Sequence, residues 1–310
     1  MKKYDLLVPG EINVDLILTD PDLMPQFGQV ETLVQHAALT PGSSSVIFAC
    51  GAARLGFKVA FIGVVGDDLF GRFMIEALDS RGVDTSHVII DPSQQTGLTV
   101  ILNRVTDRAM LTHLGAINAL KAAQIPDDLL AQARHLHLAS YFLQTNLQPD
   151  VSALFRRARD LGLTTSLDTN WDPDEQWTGV HDLLLLVDVF LPNENEACAL
   201  TGMKSVDEAA HMLANRSKVV AVKMGASGGL AIRGDTVVRA PAIPVDVLDT
   251  VGAGDTFDAG FVFGFLQGWS VEESLRLGIT CGSLSTQKPG GLEGQPTLDE
   301  ALEFNNLRKL

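Results

Sequence analysis

The chain has 310 residues, of which 46% are hydrophobic and 20% charged, with a formal net charge of −15. That length suits one large α/β domain or two modest ones. The acidic balance excludes a nucleic-acid partner, which needs a basic footprint, and apolar runs such as 183–187 fall far short of the ~20 residues that span a bilayer.

The start, Met1-Lys2-Lys3-Tyr4-Asp5, carries two lysines but an acid follows, and Leu6 to Val8 is too short for a signal-peptide core. Tyr4–Pro9 reads as a short buried strand. The next stretch, Gly10-Glu11-Ile12-Asn13-Val14-Asp15, is either an Asx-type turn or a pair of polar side chains, Asn13 and Asp15, aimed at hydroxyls. Residues 12–40 and about 95–115 alternate polar and apolar without helical spacing and predict exposed strands. Pro41-Gly42-Ser43-Ser44-Ser45 is a glycine-containing turn that opens a helix ending in Ala53-Arg54-Leu55-Gly56. Apolar runs at 59–65, 136–139, 164–168, 187–191 and 219–224 predict further strands. Amphipathic segments at 70–80, 151–161, 194–201 and 206–215 predict the helices between them. Such alternation favours a mostly parallel sheet covered on both faces. No repeat, low-complexity tract or linker marks a boundary, so residues 1–310 read as one domain. Cys50, Cys198 and Cys281 are odd in number and widely spaced in apolar context, which suits reduced, buried thiols of a cytoplasmic protein.

The chemistry concentrates near the C-terminus, at Asp249-Thr250-Val251-Gly252-Ala253-Gly254-Asp255-Thr256-Phe257. Phe257, Phe261 and Phe265 recur at helical spacing and Gly268 closes the run. Gly252 to Asp255 therefore lie at a helix N-terminus, where free N–H groups and the dipole favour an anion. A plain reading makes Asp255 an N-cap and the glycines turn formers. A more specific one has the N–H groups of Gly252, Ala253 and Gly254 hold a phosphate-like group while Asp255 takes a proton from an incoming hydroxyl.

This segment resembles the C-terminal signature of the ribokinase-like (PfkB) carbohydrate kinases. The family's N-terminal signature is matched by Pro41 to Ser45, Ala53 to Gly56, Gly63-Val64-Val65-Gly66-Asp67-Asp68 and Phe70-Gly71. Two separated signatures in the right order extend the likeness over nearly the whole chain. The resemblance implies a ribokinase-like α/β fold in which the exposed strands form a small sheet lying over the sugar site as a lid. It also implies ATP-dependent phosphorylation of a sugar hydroxyl, with Asp255 as base and Gly252 to Gly254 as anion hole. Asn13, Asp15 and Gly42, with Ser43 nearby, then face the sugar, and Mg²⁺ neutralises the phosphates against the acidic overall field. In Pro192-Asn193-Glu194-Asn195-Glu196, Asn193 and Glu196 match the family's Asn-x-x-Glu motif near Mg²⁺ and its waters, although a capping box has the same spacing. Lys223-Met224-Gly225-Ala226-Ser227-Gly228 resembles the nucleotide-binding turn, with Gly225 and Gly228 against ATP. Asp249 and the run from Ser285 to Gly294 resemble a monovalent-cation loop for K⁺, with carbonyls of Val251, Ser285, Lys288, Gly290 and Gly294 around the ion. A homodimer through the lid sheets is implied as well, since an exposed small sheet has edges to cover.

The chain also departs from ribokinases. No Asn lies between Gly42 and Cys50, Pro41 replaces the first glycine of a pair, Gln144 stands for a sugar-contacting Glu, and Ile279 occupies a common polar adenine neighbour. Asp168-Thr169-Asn170-Trp171 and Trp177 instead resemble fructokinase and ketodeoxygluconate kinase relatives, which puts Asp168 at the substrate. Arg104 and Arg108 on the lid are candidate partners for a carboxylate or phosphate. Ketodeoxygluconate and nucleosides stay open as substrates, as does a sugar-sensing relative without turnover, though that rival predicts a lost base or broken anion hole. A hydrolase elbow at Gly225-x-Ser227-x-Gly229 fails, because a strand follows and the last histidine, His211, lies upstream. Neither a Gly-x-x-x-x-Gly-Lys-Ser/Thr loop nor the third glycine of a dinucleotide site is present. His135 and His137 alternate on one strand and read as polar core residues, with no ligand partner near in sequence.

Overall fold

A computed structural model describes residues 2–104 and 107–304. The short apolar runs form β1 (Tyr4–Pro9), β2 (Asn13–Thr19), β3 (His36–Pro41), β4 (Val59–Ile62), β5 (Val64–Val65), β6 (Ile89–Ile90), β7 (Gly97–Asn103), β8 (Arg108–His113), β9 (Ala133–Leu138), β10 (Thr164–Leu167), β11 (Val189–Phe190), β12 (Val219–Lys223), β13 (Gly229–Arg233) and β14 (Thr236–Ala240). Between them run α1 (Ser44–Arg54), α2 (Leu69–Ser80), α3 (Asp127–Leu130), α4 (Val151–Asp160), α5 (Val180–Leu183), α6 (Glu194–Thr201), α7 (Val206–Ala214), α8 (Ala253–Leu266), α9 (Val271–Ser285) and α10 (Leu298–Phe304). No helix among the described residues is long and apolar enough to cross a membrane.

Eight strands make one sheet in the order β14-β13-β12-β11-β10-β9-β1-β4. Its neighbours are parallel from β4 to β12, and β13 and β14 return antiparallel. Parallel strands are buried on both faces, and the period of two divides their side chains between two cores. Leu6, Val8, Phe61, Val189 and Ala221 pack with α1, α8 and α9, while Leu7, Leu136, Leu167, Phe190 and Val222 face α4, α6 and α7. The expected strand over 59–65 is broken at Gly63, and Val64–Val65 leaves the sheet to pair with Ile89–Ile90. β1, β9, β10, β11 and β12 all run towards one edge, so the segments that follow them share that edge, where open α/β sheets bind ligands.

A second sheet has the order β3-β2-β7-β8, with β2 and β7 parallel and the outer pairs antiparallel. These are the alternating segments expected as a lid, although 20–35 carries no strand or helix. Its outer strands are largely exposed, as are Phe27, Leu33, Met110 and Leu111.

The two strand histidines are fully buried between the main sheet and α1 and α8. The His135 ring bonds Thr164 Oγ1 and Ser166 Oγ, both at 2.7 Å, and His137 Nδ1 shares that Ser166 hydroxyl at 2.7 Å. His137 stacks on Phe48 with ring centroids 3.5 Å apart. Burial pushes His135 down to about 3, and pushes His137 well below its ordinary value with the nearby His135 and Lys223 charges adding to it. A neutral buried imidazole stabilises the fold fully above the unfolded value near 6.5 and loses that contribution as pH falls towards the folded one. Urea unfolding of wild type and His135→Gln from pH 7 to 4 should show the wild type losing more, by at most about 1.4 kcal/mol per pH unit. A pH-independent difference between the two would rule out the neutral buried state.

Candidate active site

The first cluster lies where β1 turns into β2. Gly42 follows β3 so closely that a Cβ there would meet Asp15 Oδ1 at 2.3 Å and Asn13 Nδ2 at 2.6 Å. Backbone and two polar side chains thus form one wall, with Asn13 Nδ2 donating to Asp15 Oδ1 at 2.9 Å. Burial pushes the Asp15 carboxyl up to about 7, against the Asn13 hydrogen bond and the charge of Arg108 on the lid. Ser43, expected beside the sugar, has its hydroxyl committed elsewhere. It donates to the Glu11 carbonyl at 2.7 Å and accepts from Val46 N–H at 3.0 Å, which makes it the N-cap of α1. Glu11 itself is buried and its carboxyl accepts from Ser45 and Ser140, at 2.5 and 2.9 Å. These charge-assisted bonds tie the β1–β2 turn, the start of α1 and the segment after β9 together.

The second cluster is the start of α8. Gly252 is its N-cap in the left-handed conformation at φ 70°, so Asp255 lies in the first turn and is not the cap. The first intrahelical bond runs from Thr256 N–H to the Gly252 carbonyl at 2.9 Å. The N–H groups just ahead of it have no helical acceptor, and Ala253 N–H makes only a 3.3 Å contact to the Thr250 carbonyl. Asp255 is half-buried among other acids. Burial pushes its carboxyl up to about 7, Asp168 pushes the same way, and Lys223 and a hydrogen bond from Ser44 oppose them.

Beneath the turn lies Lys223, whose ammonium is 3.7 Å from where a Cβ on Gly254 would be. It pairs with Asp168 at 2.7 Å and Asp258 at 3.0 Å. Burial works to lower its pKa, but the two carboxylates win and hold it above the ordinary lysine value. Carboxylate oxygens of Asp168, Asp255 and Asp258 lie within 4.8 Å of one another. Burial, with Asp168 beside it, pushes the Asp258 carboxyl well above its ordinary value, and the Lys223 ammonium opposes that shift. On the facing edge, Asn193 and Glu196 form the capping box of α6: Asn193 N–H and Nδ2 donate to Glu196 at 2.8 and 2.6 Å, and Glu196 N–H returns to Asn193 Oδ1 at 2.9 Å. The Glu196 carboxyl is buried, and burial, reinforced by Asp168, pushes it up to about 7.

A cavity of about 630 Å³ opens from this turn. Lys223, Gly225, Gly228, Gly254 and Ile279 all line it, with Met224, Val247 and Phe257 adding apolar wall. Behind it, Asp249 accepts from Val251 N–H at 3.0 Å and from Gly290 N–H at 2.8 Å, which brings the two halves of the expected cation loop together. Gly294 packs against the Ser285 carbonyl, while Lys288 is exposed.

Several candidates are placed differently from expectation. Arg104 turns into the lid's own loop, donating to the Leu23 carbonyl at 2.6 Å and contacting Met24, so it is not a free anion partner. Gln144 is fixed to the Ala139 carbonyl at 2.7 Å. Asp168 is occupied by Lys223 and by Asn170 N–H at 3.1 Å. Asp258, Glu11 and Ser44 enter the site without having been singled out. Asp258 had a signal, since residues three apart share a helix face with Asp255. Glu11 and Ser44 had only their places inside the quoted motifs.

A sequence model of the pfkB family carbohydrate kinases matches residues 3–298. The chain belongs to this family. Among curated relatives, a 2-dehydro-3-deoxygluconokinase of Bacillus subtilis is 34% identical over 276 residues, covering 83% of each chain. A ribokinase of Haemophilus influenzae is 30% identical over 307 residues, covering 96% of this chain and 97% of its own. Among solved structures, Arabidopsis thaliana ribokinase complexed with ribose and ATP superposes with a TM-score of 0.85 at 25% identity, over 97% of this chain and 98% of that one. The layered sheet with its smaller companion is accordingly the ribokinase-like fold.

The ion-pair network sets up an asymmetry within this carbohydrate kinase. Lys223→Met leaves Asp168 charged and unpaired in the interior and should cost about 3–5 kcal/mol in denaturant unfolding. Asp258→Asn keeps the shape of the side chain and leaves Lys223 paired with Asp168, so it should cost less than Lys223→Met. Equal losses would mean that Asp168 alone does not hold the ammonium in place.

Proposed function

We propose that this chain transfers the γ-phosphoryl group of ATP to a hydroxyl, most simply a primary one, of a small sugar. The reading is carried by the half-buried Asp255 carboxylate beside the N–H groups of Gly252 to Gly254 at the start of α8, with the Asn13–Asp15–Gly42 wall and the apolar cavity nearby. Asn13 and Asp15 hold sugar hydroxyls, and Gly42 lets the backbone approach them. Asp255 accepts the proton of the attacking hydroxyl as the new O–P bond forms and the bond from the γ-phosphorus to the β-phosphate oxygen breaks. The N–H groups of the turn, with Lys223 behind them, stabilise the charge that develops on the transferred group. The apolar wall with Ile279 takes the base of ATP, and Gly225 and Gly228 border the phosphates.

The donor set fits Mg²⁺, since Glu196 offers a buried carboxylate in an acid-rich pocket and hard cations prefer oxygen ligands with retained waters. When bound with ATP, Mg²⁺ supplies neutralisation of the phosphate charge. Carbonyls gathered by Asp249 around Val251, Ser285, Lys288, Gly290 and Gly294 suit K⁺ in the same way. The exposed apolar lid face is where a second copy of the chain would dock as a homodimer.

A second reading, a sugar acid as acceptor, is favoured by Arg108, whose charge acts on Asp15 and so reaches the sugar wall. The relative named 2-dehydro-3-deoxygluconokinase supports it. A panel of neutral sugars, sugar acids and nucleosides with MgATP, followed by ADP release, separates these acceptors. Binding without ADP from any of them would point to a non-catalytic sensor.

With the active panel sugar, Asp255→Asn should lower kcat by about 10²–10⁴-fold while leaving both KM values within a few-fold. Since the base must be ionised, kcat/KM for the sugar should fall tenfold per pH unit below about 7, the value to which burial and Asp168 raise Asp255. Turnover that survives in Asp255→Asn removes this residue as the base. Chelation of Mg²⁺ should abolish transfer, and activity in its absence would remove the metal from the reaction.

A further inference from the structure

The cavity beside the α8 turn has a wall of two kinds. Lys223, Ala253 and Gly254 supply its charged and N–H-rich part. The rest comes from α9 with its C-terminal cap, where Ile279, Ser283 and Thr286 recur at helical spacing, and from the segment between β14 and α8. That segment adds Ala242, Ile243, Pro244, Val245 and Val247 to the wall but not its acid, Asp246.

Among the described residues that line the cavity, Lys223 carries the only charged side chain, and Asp, Glu, Asn, Gln, Arg and His are all absent. The hydroxyls of Thr250, Ser283 and Thr286 are the other polar side chains. Thr286 spends its proton on the Ser283 carbonyl at 2.7 Å, and its own carbonyl is taken by the N–H groups of Leu248 and Asp249 at 2.8 and 3.0 Å. Arg276 lines a smaller pocket that shares Ile243 and Ile279 with this one, and it is paired with Glu272 at 2.9 Å.

A site reads the edge of a base with donors and acceptors of fixed sign. It rejects the wrong base because those groups are then left unpaired in the interior. No side chain of that kind stands in this wall. A hydroxyl both donates and accepts and turns to suit its partner, so Thr250 and Ser283 meet an amino group or a carbonyl oxygen equally well. The peptide groups of 242–247 carry a donor and an acceptor each, except that Pro244 has no N–H. Apolar contact follows buried area and is blind to the pattern of the edge. The groups of fixed sign, Lys223 and the N–H groups of the turn, suit phosphates, which every nucleoside triphosphate shares.

We propose that the phosphoryl donor of this chain is selected by its phosphates and not by its base, so that ITP and GTP serve beside ATP. This rests on the reading of the cavity as the nucleotide site and widens its donor from ATP to the purine nucleoside triphosphates. The step is the same for each. A bond forms from the acceptor oxygen to the γ-phosphorus, and the bond from that phosphorus to the β-phosphate oxygen breaks. The hydroxyl proton passes to Asp255, and the nucleoside diphosphate leaves.

The experiment uses the wild-type chain with Mg²⁺. It measures kcat/KM for ATP, ITP and GTP with the active panel sugar at saturation, followed by the phosphorylated sugar, and the Kd of ADP, IDP and GDP by calorimetry. ATP and ITP form the sharpest pair, because they share phosphates and ring area and differ in sign at position 6 of the base, an amino donor against a carbonyl acceptor. Across the three purines both constants should agree within about tenfold. A preference for ATP over ITP above about tenfold, in turnover or in binding, overturns the proposal and leaves the kinase reading standing. Equal binding of the three diphosphates without turnover of any triphosphate supports a cavity blind to the base and removes the kinase reading. Should none of the diphosphates bind, the cavity is not a nucleotide site and both readings fall.

Discussion

The whole site depends on one ammonium group placed among acids at the carboxyl edge of the sheet. Asp168 follows β10, Lys223 ends β12, and Asp258 lies one turn into α8, so their contacts join two strands and a helix at a single point. Without Lys223, this edge would gather Glu11, Asp168, Glu196, Asp255 and Asp258 with no compensating cation from an ion pair among the described residues. Burial of such a set is tolerated because one ammonium keeps its charge among the acids. The consequence is geometric as well as electrostatic. The ammonium is fixed beneath Gly254, so the N–H turn of α8 has a positive charge behind it whether or not an anion is in front.

That arrangement also explains how a chain with a net charge of −15 can accept a polyanion. The long-range field is unfavourable, and screening removes most of it beyond a Debye length of about 10 Å. Local terms decide. Unpaired N–H groups at a helix start, a buried lysine and an apolar cavity of about 630 Å³ act within contact distance, where screening is weak. The acids that remain near neutrality, Asp15, Glu196 and Asp255, are each pushed up to about 7 by burial.

Backbone features of the site were legible in the sequence because glycine and helical spacing leave marks that no other chemistry imitates. Gly252 needs a left-handed φ, Gly42 cannot carry a Cβ against Asp15, and Phe257, Phe261 and Phe265 announce α8. Strand ends were less legible: the run at 136–139 starts three residues earlier, at Ala133, and the run at 59–65 stops at Ile62. Side-chain partners were not. Nothing in the order of residues says that Lys223 meets Asp168 and Asp258, or that Arg104 bends back to Leu23, because those contacts are made across 55, 35 and 81 residues of chain. Asn193 and Glu196 were ambiguous in principle. The capping box is fully formed, and forming it leaves a buried carboxylate at the same edge, so the structural and chemical readings describe one set of atoms.

The departures from the ribokinase pattern cluster at the start of α1, and they have a common physical effect. This chain has Ser43, Ser44 and Ser45 there: Ser43 caps α1 and donates to Glu11, Ser45 donates to Glu11, and Ser44 Oγ lies 2.6 Å from the Asn170 carboxamide. The helix start is thereby committed to holding Glu11 in place. On the function proposed above, recognition of the acceptor falls to Asn13, Asp15 and the smaller sheet, whose outer strands are largely exposed. That reading separates acceptor specificity from transfer, because Lys223, Asp255 and the α8 turn are tied to the main sheet while Arg108 stands on an exposed strand of the smaller one.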